Sequence, residues 1–235
     1  KITIFTSNQK RHNYLINVLS KISSELFVIQ ECQTIHTGIK SGQYKQTSLI
    51  KNYFSKVKMA EKKFFKDRSL ILNKKTNLIS LKFGDLNLLK INEIKNFLNS
   101  EFYIVFGSSY IKGNLINFLV KKKAINIHMG ISPYYRGTDC NFWALYDNKP
   151  EYVGATIHHI TSGLDDGPIL YHALSEYSPN PFNYSMSTVK SAIDSLAELI
   201  KTKRIYKLKP KKLKKISEIR YSTKKNFSDN SIKIY

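Results

Sequence analysis

Apolar runs alternate with amphipathic segments from the first residues of the chain. The stretch "KITIFTSN" begins as a buried strand, and "ELFVIQEC" forms a second one. Between them, "RHNYLINVLSKIS" places Tyr14, Leu15, Val18, Leu19 and Ile22 at helical spacing. A β-α-β unit of this kind favours a parallel sheet with a right-handed crossover.

The same alternation returns in the middle of the chain. "FYIVFGSS" is an apolar strand, "GNLINFLV" a short helix and "AINIH" the next strand. "VGATIHHI" and "GPILYHAL" are expected as two strands joined by a hairpin-like turn, "TSGLDD". A loop is expected over 36–46, and further helices are expected over roughly 48–65, in "INEIKNFLNS", in "TDCNFWALYDN" with Thr138 or Asp139 as N-cap, and over roughly 184–201.

These elements predict an α/β fold with a Rossmann-like, doubly wound, mostly parallel sheet. We expect one domain over residues 1–202 and a short basic C-terminal extension over 203–235. The extension is expected to be loosely attached or folded as a small hairpin pair. No G-x-G-x-x-G motif follows the first strand, so a dinucleotide cofactor is not expected.

The net charge of the chain is large, at +21 over 235 residues. Residues 201–235 contain thirteen Lys or Arg and two acids, which accounts for +11 of that charge. Most basic residues are Lys, whereas bidentate recognition of phosphates or bases favours Arg. A Lys-rich surface therefore explains the charge better than nucleic-acid binding does. An anionic small substrate is compatible with both interpretations.

Several classes of protein are disfavoured by composition. The two cysteines, Cys32 and Cys140, make neither a disulfide framework nor a metal site. No run of eighteen apolar residues and no signal-peptide pattern occurs, so neither a membrane span nor export is expected. We expect a cytoplasmic protein with no metal and no membrane partner.

Asn126 and His128 are the first candidates for chemistry, because they lie two residues apart at a strand end. Period two puts both side chains on one face, and open α/β sheets bind ligands at the carboxyl ends of strands. A neutral His beside an amide donor suits oxyanion stabilisation and proton transfer. Asp165, in "GLDDGP", is the candidate to orient the imidazole, with Asp166 as its rival. The alternative interpretation is a turn-capping Asn and a structural His.

Three motifs together resemble the folate-dependent formyltransferase family, and most closely the nucleotide-sugar N-formyltransferases. They are Asn126-x-His128 at a strand end, the Ser132-Pro133 loop that ends at Gly137, and the turn 164–167, Leu-Asp-Asp-Gly. The likeness is strong over roughly 102–172, looser over 1–101 and weakest after 203. It implies the formyltransferase fold.

The resemblance also implies a donor, an acceptor and a set of site residues. The donor is N10-formyltetrahydrofolate, the acceptor is an amine, and no metal takes part. Asn126 and His128 would hold the formyl oxygen, and Asp165 would assist proton transfer. The folate is expected at Phe106, Gly107, Ser108, Ser109, Tyr110 and Lys112. The acceptor is expected at Ser132, Pro133, Tyr134, Tyr135, Arg136, Gly137 and His158.

Length and loop sequence favour one acceptor class. Methionyl-tRNA formyltransferases carry a second β-rich domain, for which 203–235 leaves too little chain. Glycinamide ribonucleotide transformylases carry a glycine-rich loop after the first strand, which "TSNQKRHN" lacks. In "SPYYRGTDCNFW", Tyr134 and Tyr135 offer aromatic surfaces and Arg136 a phosphate contact. Trp143 offers a further ring, although we expect it in the core.

We therefore expect formylation of a dTDP-linked 4-amino-4,6-dideoxyhexose, of the 4-amino-4,6-dideoxyglucose type. The setting would be O-antigen, and hence lipopolysaccharide, biosynthesis. The alternatives are a glycinamide ribonucleotide or methionyl-tRNA formyltransferase, or a catalytically inactive module that binds RNA through its basic tail. Many members of the family are dimers, so a homodimer is an expected assembly.

Overall fold

A seven-stranded sheet forms the centre of the protein in a computed structural model, which describes residues 1–33, 47–66, 69–212 and 218–235. Its strands follow the order β3-β2-β1-β4-β5-β7-β8. They are β1 (Ile2–Ser7), β2 (Leu26–Cys32), β3 (Thr76–Lys82), β4 (Phe102–Phe106), β5 (Ile125–His128), β7 (Ala155–His159) and β8 (Ile169–Ala173). The short β6 (Tyr135–Gly137) and β9 (Arg220–Ser222) form a separate two-stranded sheet.

Helices connect these strands as the β-α-β pattern requires. The α-helices are α1 (Lys10–Ile22), α2 (Ser48–Phe65), α3 (Gly113–Lys121), α4 (Cys140–Tyr146), α5 (Pro181–Lys201) and α6 (Asp229–Ile234). Single 3₁₀ segments cover Asp85–Leu88, Ile91–Leu98, Pro150–Tyr152, Arg204–Lys207 and Lys224–Asn226. None of the helices in the described part of the chain is long and apolar enough to cross a membrane.

The direction of the strands confirms the predicted fold class. The first five strands of the sheet, β3 to β5, pair in parallel. The pairs β5–β7 and β7–β8 are antiparallel, so the "TSGLDD" turn joins neighbouring strands as expected. The sheet is therefore mostly parallel with an antiparallel edge, which is common in α/β proteins.

Apolar side chains cover both faces of the sheet, as expected for parallel strands with crossover helices. Ile4 of β1 points into a cluster that includes Leu15 of α1 and Ile193 of α5. Its neighbour Phe5 points into a second cluster that includes Leu119 of α3. Each fully buried Leu or Ile contributes roughly 1.5–3 kcal/mol, so both faces hold the sheet in place.

The described residues of the predicted C-terminal extension pack against the rest of the protein. Phe227 is buried in a third cluster with Phe142 and Trp143 of α4, and Tyr235 stacks on Phe142 with ring centroids 4.4 Å apart. The expected hairpin pair is wrong, because β9 pairs with β6 and residues 229–234 are helical. The boundary between residues 202 and 203 stays a prediction.

Local boundaries differ from the sequence-based expectation in two places. The segment Ile91–Leu98 is 3₁₀ rather than α-helical, since apolar residues three apart satisfy both periods. Helix α5 begins at Pro181, where the Asn180 side chain accepts from the backbone N–H of Asn183 at 2.9 Å. Asp139 occupies the N-cap position of α4, but its side chain makes no capping bond there. The loop predicted over 36–46 lies outside the described residues.

Candidate active site

Asn126 and His128 share one face of β5, as the period of the strand requires. In the antiparallel pairing with β7, Asn126 lies opposite His158 and His128 lies opposite Thr156. Cross-strand partners share a face, so His158 joins the two candidate residues, and His159 points the other way. Asn126 is half-buried, whereas His128 is only 6% exposed.

The turn after β7 brings a carboxylate onto this face. Asp165 has a left-handed backbone, with φ of 51°, and is 8% exposed. Its Oδ1 lies 3.3 Å from Nδ1 of His128 and 3.4 Å from Nδ2 of Asn126. Its Oδ2 accepts from the backbone N–H of Gly137 at 3.2 Å. Asp165 therefore contacts both β5 candidates, as predicted.

Asp166, the rival carboxylate, has a different task. It is exposed and accepts a hydrogen bond from the Thr161 hydroxyl, which closes the turn. The turn also requires Gly167, because a Cβ at that position would overlap the carbonyl oxygen of His159. The geometry thus assigns the site carboxylate to Asp165 and the turn-closing carboxylate to Asp166.

Both ring nitrogens of His128 face hydrogen-bond acceptors. Nε2 lies 3.1 Å from the backbone carbonyl of Tyr135, and Nδ1 faces Asp165. A neutral imidazole carries one N–H and would serve only one of them. Whichever nitrogen carries the proton, the ring lies between these two acceptors, which fixes its orientation beside Asp165.

His158 has the opposite surroundings and acts as a neutral acceptor. Its Nδ1 lies 2.9 Å from the carbonyl of His159, an acceptor, so this nitrogen carries the proton. Its Nε2 then accepts from Nδ2 of Asn126 at 3.0 Å. Burial, followed by the charge of neighbouring His128, lowers the pKa of His158 to about 4. His158 therefore orients the Asn126 amide.

The loop after β5 supplies main-chain groups rather than a row of exposed rings. It runs from a cis Ser132–Pro133 bond through β6. The Tyr135 side chain is fully buried, and its hydroxyl donates to Asp147 at 3.1 Å. Tyr135 as an acceptor-binding ring is therefore corrected: its carbonyl serves the site, and its ring belongs to the core. Trp143 is also a core residue, as expected.

Arg136 is fixed from two sides. One guanidinium nitrogen lies 3.0 Å from the carboxylate of Glu218, and the other donates to the Leu164 carbonyl at 2.6 Å. Its side chain keeps 25% of its surface exposed. Tyr134 and Pro133 are partly exposed, whereas Ser132 is 1% exposed and its hydroxyl has no protein partner. The loop thus reaches the site through its main chain, and its partly exposed side chains are those of Pro133, Tyr134 and Arg136.

The predicted folate loop, 106–112, follows the neighbouring strand β4. Gly107 is exposed with φ of 72°, and a Cβ there would overlap the ring of His12. Tyr110 is 49% exposed, and its hydroxyl donates to the Ser162 carbonyl at 2.7 Å. That bond ties the loop to the turn that carries Asp165. Exposed main chain and a half-exposed ring fit a flat heterocycle.

Glu31, on β2, anchors this loop and was missed from the sequence. Its carboxylate is fully buried and accepts from the backbone N–H and hydroxyl of Ser109, at 2.5 and 2.9 Å. It also accepts from the backbone N–H groups of Gly84 and Leu86, at 2.8 and 3.3 Å. An acid within the apolar run "FVIQEC" was the available signal, since buried carboxylates require partners.

No cluster of three or more metal-ligating side chains occurs among the described residues. The site instead combines an amide, an imidazole and a carboxylate around one strand end. Such a set can stabilise a developing oxyanion and relay a proton.

Comparison with known proteins gives this site a family context. Residues 92–197 match the family model described as formyl transferase. Two curated relatives are methionyl-tRNA formyltransferases. The one from Thermodesulfovibrio yellowstonii is 39% identical over 89 residues, 38% of this chain and 28% of that protein. The one from Blochmanniella floridana is 30% identical over 126 residues, 54% of this chain and 38% of that protein. The match thus spans less than two fifths of either relative.

Solved structures share the fold at low sequence identity. A sugar N-formyltransferase from Shewanella aligns with a TM-score of 0.58 and 18% identity, over 96% of this chain and 78% of that one. An N-formyltransferase from Helicobacter canadensis, in complex with folinic acid and dTDP-3-aminofucose, gives 0.55 and 15%, over 96% and 72%. A phosphoribosylglycinamide formyltransferase from Anaplasma phagocytophilum gives 0.54 and 17%, over 86% of each chain.

Proposed function

We propose, from the premise that this chain belongs to the formyltransferase family, that it transfers a formyl group from N10-formyltetrahydrofolate to the amine of a nucleotide-linked amino sugar. The contact of Asp165 with both Asn126 and His128 carries the proposal. These are the three residues that the family resemblance assigns to formyl transfer.

Each of the three side chains has a task that its contacts support. Asn126 uses one amide hydrogen for His158 and holds the other in a long, 3.4 Å contact with Asp165. The second hydrogen turns to the formyl oxygen as negative charge develops there. His128, held between the Tyr135 carbonyl and Asp165, orients that carboxylate. As the amine nitrogen bonds to the formyl carbon, Asp165 accepts the amine proton, and it passes this proton to N10 of the folate as the bond between N10 and the formyl carbon breaks.

N10-formyltetrahydrofolate, when bound, supplies the electrophilic formyl carbon. The residues that would hold it are those of the 106–112 loop, where Gly107 and Tyr110 are exposed beside β5. Glu31 fixes this loop through Ser109, so the binding surface exists before a ligand arrives.

Two observations support a nucleotide-linked amino sugar as the acceptor. They are the side chains of the 132–138 loop and the share of this chain that aligns with the solved structures. Tyr134 and Arg136 are accessible there, and the buried Ser132 hydroxyl has no protein partner. An unsatisfied buried hydroxyl beside a site fits a polar ligand or water. The sugar N-formyltransferase and the N-formyltransferase in complex with dTDP-3-aminofucose each align with 96% of this chain, and the phosphoribosylglycinamide formyltransferase with 86%. We propose a dTDP-linked 4-amino-4,6-dideoxyhexose, destined for O-antigen.

Methionyl-tRNA formylation is the second candidate, because the curated relatives that match this sequence carry that name. Glycinamide ribonucleotide is the third. Each candidate supplies a primary amine to the same three residues, so the chemistry at Asn126, His128 and Asp165 does not separate them.

A panel assay separates the acceptors. The protein is mixed with N10-formyltetrahydrofolate and, in turn, dTDP-, UDP- and GDP-linked amino sugars, glycinamide ribonucleotide or methionyl-tRNA. Tetrahydrofolate release and the mass of the formylated product are followed, with Asp165→Asn as the inactive control. We expect turnover on a dTDP-linked amino sugar. Turnover confined to glycinamide ribonucleotide or methionyl-tRNA overturns the acceptor, and none with any acceptor overturns formyl transfer.

A further inference from the structure

The C-terminal strand β9 lies directly behind the active-site loop. It pairs in parallel with β6, so that Gly137 lies opposite Ser222. The backbone N–H groups of Ile219 and Arg220 donate to the Tyr134 carbonyl at 2.9 and 3.0 Å. The backbone N–H of Thr138 donates to the Ser222 carbonyl at 2.9 Å. Residues 134–138 are thus fixed by backbone bonds to a segment more than eighty residues away.

The same loop supplies two main-chain groups to the catalytic side chains. The Tyr135 carbonyl faces Nε2 of His128 at 3.1 Å. The Gly137 N–H donates to Oδ2 of Asp165 at 3.2 Å. One side of β6 therefore contacts the catalytic pair, and the other contacts β9. A shift of β9 would move both main-chain groups together.

Two side chains lock β9 in place. Arg220 makes a bidentate ion pair with Asp147 at the end of α4, with distances of 2.9 and 2.5 Å. Its guanidinium also lies 4.7 Å from the centre of the Trp143 ring. Ser222 is 2% exposed, and its hydroxyl donates to the Thr138 carbonyl at 2.5 Å. Asp147 accepts from the Tyr135 hydroxyl as well, so α4, β6 and β9 share one polar contact.

Packing leaves β6 no freedom to move closer to β9. Gly137 has φ of 93°, and a Cβ there would overlap the Ser222 carbonyl oxygen. The distance from β9 to the catalytic pair is therefore set by direct backbone contact across one strand.

We propose that Arg220 and Ser222 are positioning residues for the His128–Asp165 pair and act through Tyr135 and Gly137. This inference rests on the proposed formyl transfer for its kinetic consequence, but its geometric part stands without a substrate. A displacement of about 1 Å at a catalytic group lowers a rate by as much as about 100-fold. β9 thus sets the rate of the chemical step rather than the affinity for either substrate.

The test uses Ser222→Ala, Arg220→Ala and Arg220→Lys in the full chain, with Lys225→Ala as control. Lys225 is exposed and lies three residues after Ser222 on the same segment. Steady-state kcat and KM are measured with the acceptor that turns over in the panel assay. Thermal midpoints and the ¹⁵N NMR signals of the His128 ring, assigned by comparison with His128→Gln, are recorded without substrates.

We expect kcat to fall about 10-fold in Ser222→Ala and up to about 100-fold in Arg220→Ala, while KM changes less than about 3-fold. Arg220→Lys, which keeps one ionic contact with Asp147, should recover part of kcat. The Nε2 signal of His128 should move in Ser222→Ala and stay in place in Lys225→Ala.

Unchanged kcat and unchanged His128 signals in Ser222→Ala, even with a lower thermal midpoint, overturn the inference and leave β9 a purely stabilising strand. If Arg220→Ala fails to fold, Ser222→Ala decides alone, because it removes only one hydroxyl. If no acceptor turns over, a moved His128 signal supports the positioning role while the proposed function fails. An unmoved signal then overturns both.

Discussion

The two loops that flank the candidate site are held in different ways. The 106–112 loop is held mainly by side chains: Glu31 accepts from the N–H and hydroxyl of Ser109, and Asn87 bonds to the main chain of Tyr110 and Lys112. The 132–138 loop depends on a whole strand, β9, that pairs with its backbone and is locked by Arg220 and Ser222. The first support is thus a set of side-chain contacts from neighbouring elements, and the second is the backbone of a strand more than eighty residues away in sequence.

The difference matches the task that we propose for each loop. The 106–112 loop presents exposed main chain beside the site, as a binding surface requires. The 132–138 loop gives a carbonyl to His128 and an N–H to Asp165, so its position affects the side chains to which we assign the chemistry. Changes to the first support should therefore act on donor affinity, and changes to the second on the rate.

Of these variants, Gly137→Ala should lower stability and kcat most, because it disrupts the contact between the 132–138 loop and β9. A Cβ would overlap the Ser222 carbonyl oxygen, and φ of 93° is strained for any side chain. We expect a loss of about 2–4 kcal/mol in the free energy of unfolding and a fall in kcat of about 100-fold. Chemical denaturation and steady-state kinetics measure both.

Gly113→Ala is the matched control at the start of α3. Its φ is also positive, at 61°, but a Cβ there meets no atom within 4 Å. Only local strain of about 1 kcal/mol should result. Equal losses in the two variants would contradict a special role for the β6–β9 contact.

The buried ring of His158 should make the stability of the folded protein depend on pH. Because burial lowers the pKa of His158, the folded protein keeps this ring neutral at a pH where the unfolded chain binds a proton. Its contribution to stability is complete above about pH 6.5 and is lost as the pH falls to about 4. His158→Gln keeps an acceptor for Asn126. In this variant the free energy of unfolding should fall less between pH 6.5 and pH 4 than in wild type, by on the order of 2–3 kcal/mol.

Denaturation at a series of pH values checks this, and the difference from wild type isolates His158 because buried His12 is common to both. His159→Gln controls for the loss of a ring on the opposite face of β7. A wild-type pH dependence in His158→Gln would show that His158 is not the neutral acceptor described above.

Glu31→Gln should weaken the hydrogen bonds that hold the 106–112 loop. One of its two acceptor oxygens becomes an amide, which leaves the Ser109 N–H or the Gly84 N–H facing a donor. We expect a loss of about 1–3 kcal/mol in stability and a rise of about 10-fold in KM for the formyl donor, with kcat retained. Glu25→Gln, a partly exposed carboxylate paired with Lys1, is the control. A fall in kcat with unchanged KM would contradict the binding role of this loop.

Of these variants, Tyr110→Phe should change stability and donor binding least. It removes one bond to the Ser162 carbonyl from a half-exposed ring. We expect a loss of about 0.5–1 kcal/mol and a 2–5-fold rise in donor KM, and isothermal titration with the donor measures the second. Unchanged donor affinity would place the folate away from this ring.

The elements and the three candidate residues could be predicted from the sequence for a physical reason. Strand and helix periods predicted β1, α1, β2 and the β4-α3-β5 unit, because parallel strands are long apolar runs. Asn126 and His128 share a face through period two alone, and Asp165 followed from the family motif. The same motif favours Asp165 over Asp166, and the structure adds what Asp166 does instead, a hydrogen bond with Thr161.

The contacts that hold the two loops could not be predicted from the sequence. Glu31 was visible as an acid in an apolar strand, but its partners at Gly84, Leu86 and Ser109 follow from sheet order. β9 has three residues, too few for a periodic pattern, and its partner strand lies far away in sequence. Tyr135 looked like a ligand surface because sequence does not show which of two adjacent tyrosines faces the core.

The assignment of Asp165 to proton transfer is tested by comparing two adjacent carboxylates in a single-turnover assay. Asp165→Asn and Asp166→Asn each change one carboxylate to an amide of the same shape. With saturating N10-formyltetrahydrofolate and the acceptor found active, Asp165→Asn should slow formyl transfer by at least about 10²–10³-fold, while Asp166→Asn stays within about 3-fold of wild type. Wild-type rates in Asp165→Asn, or equal losses in both folded variants, would contradict the account.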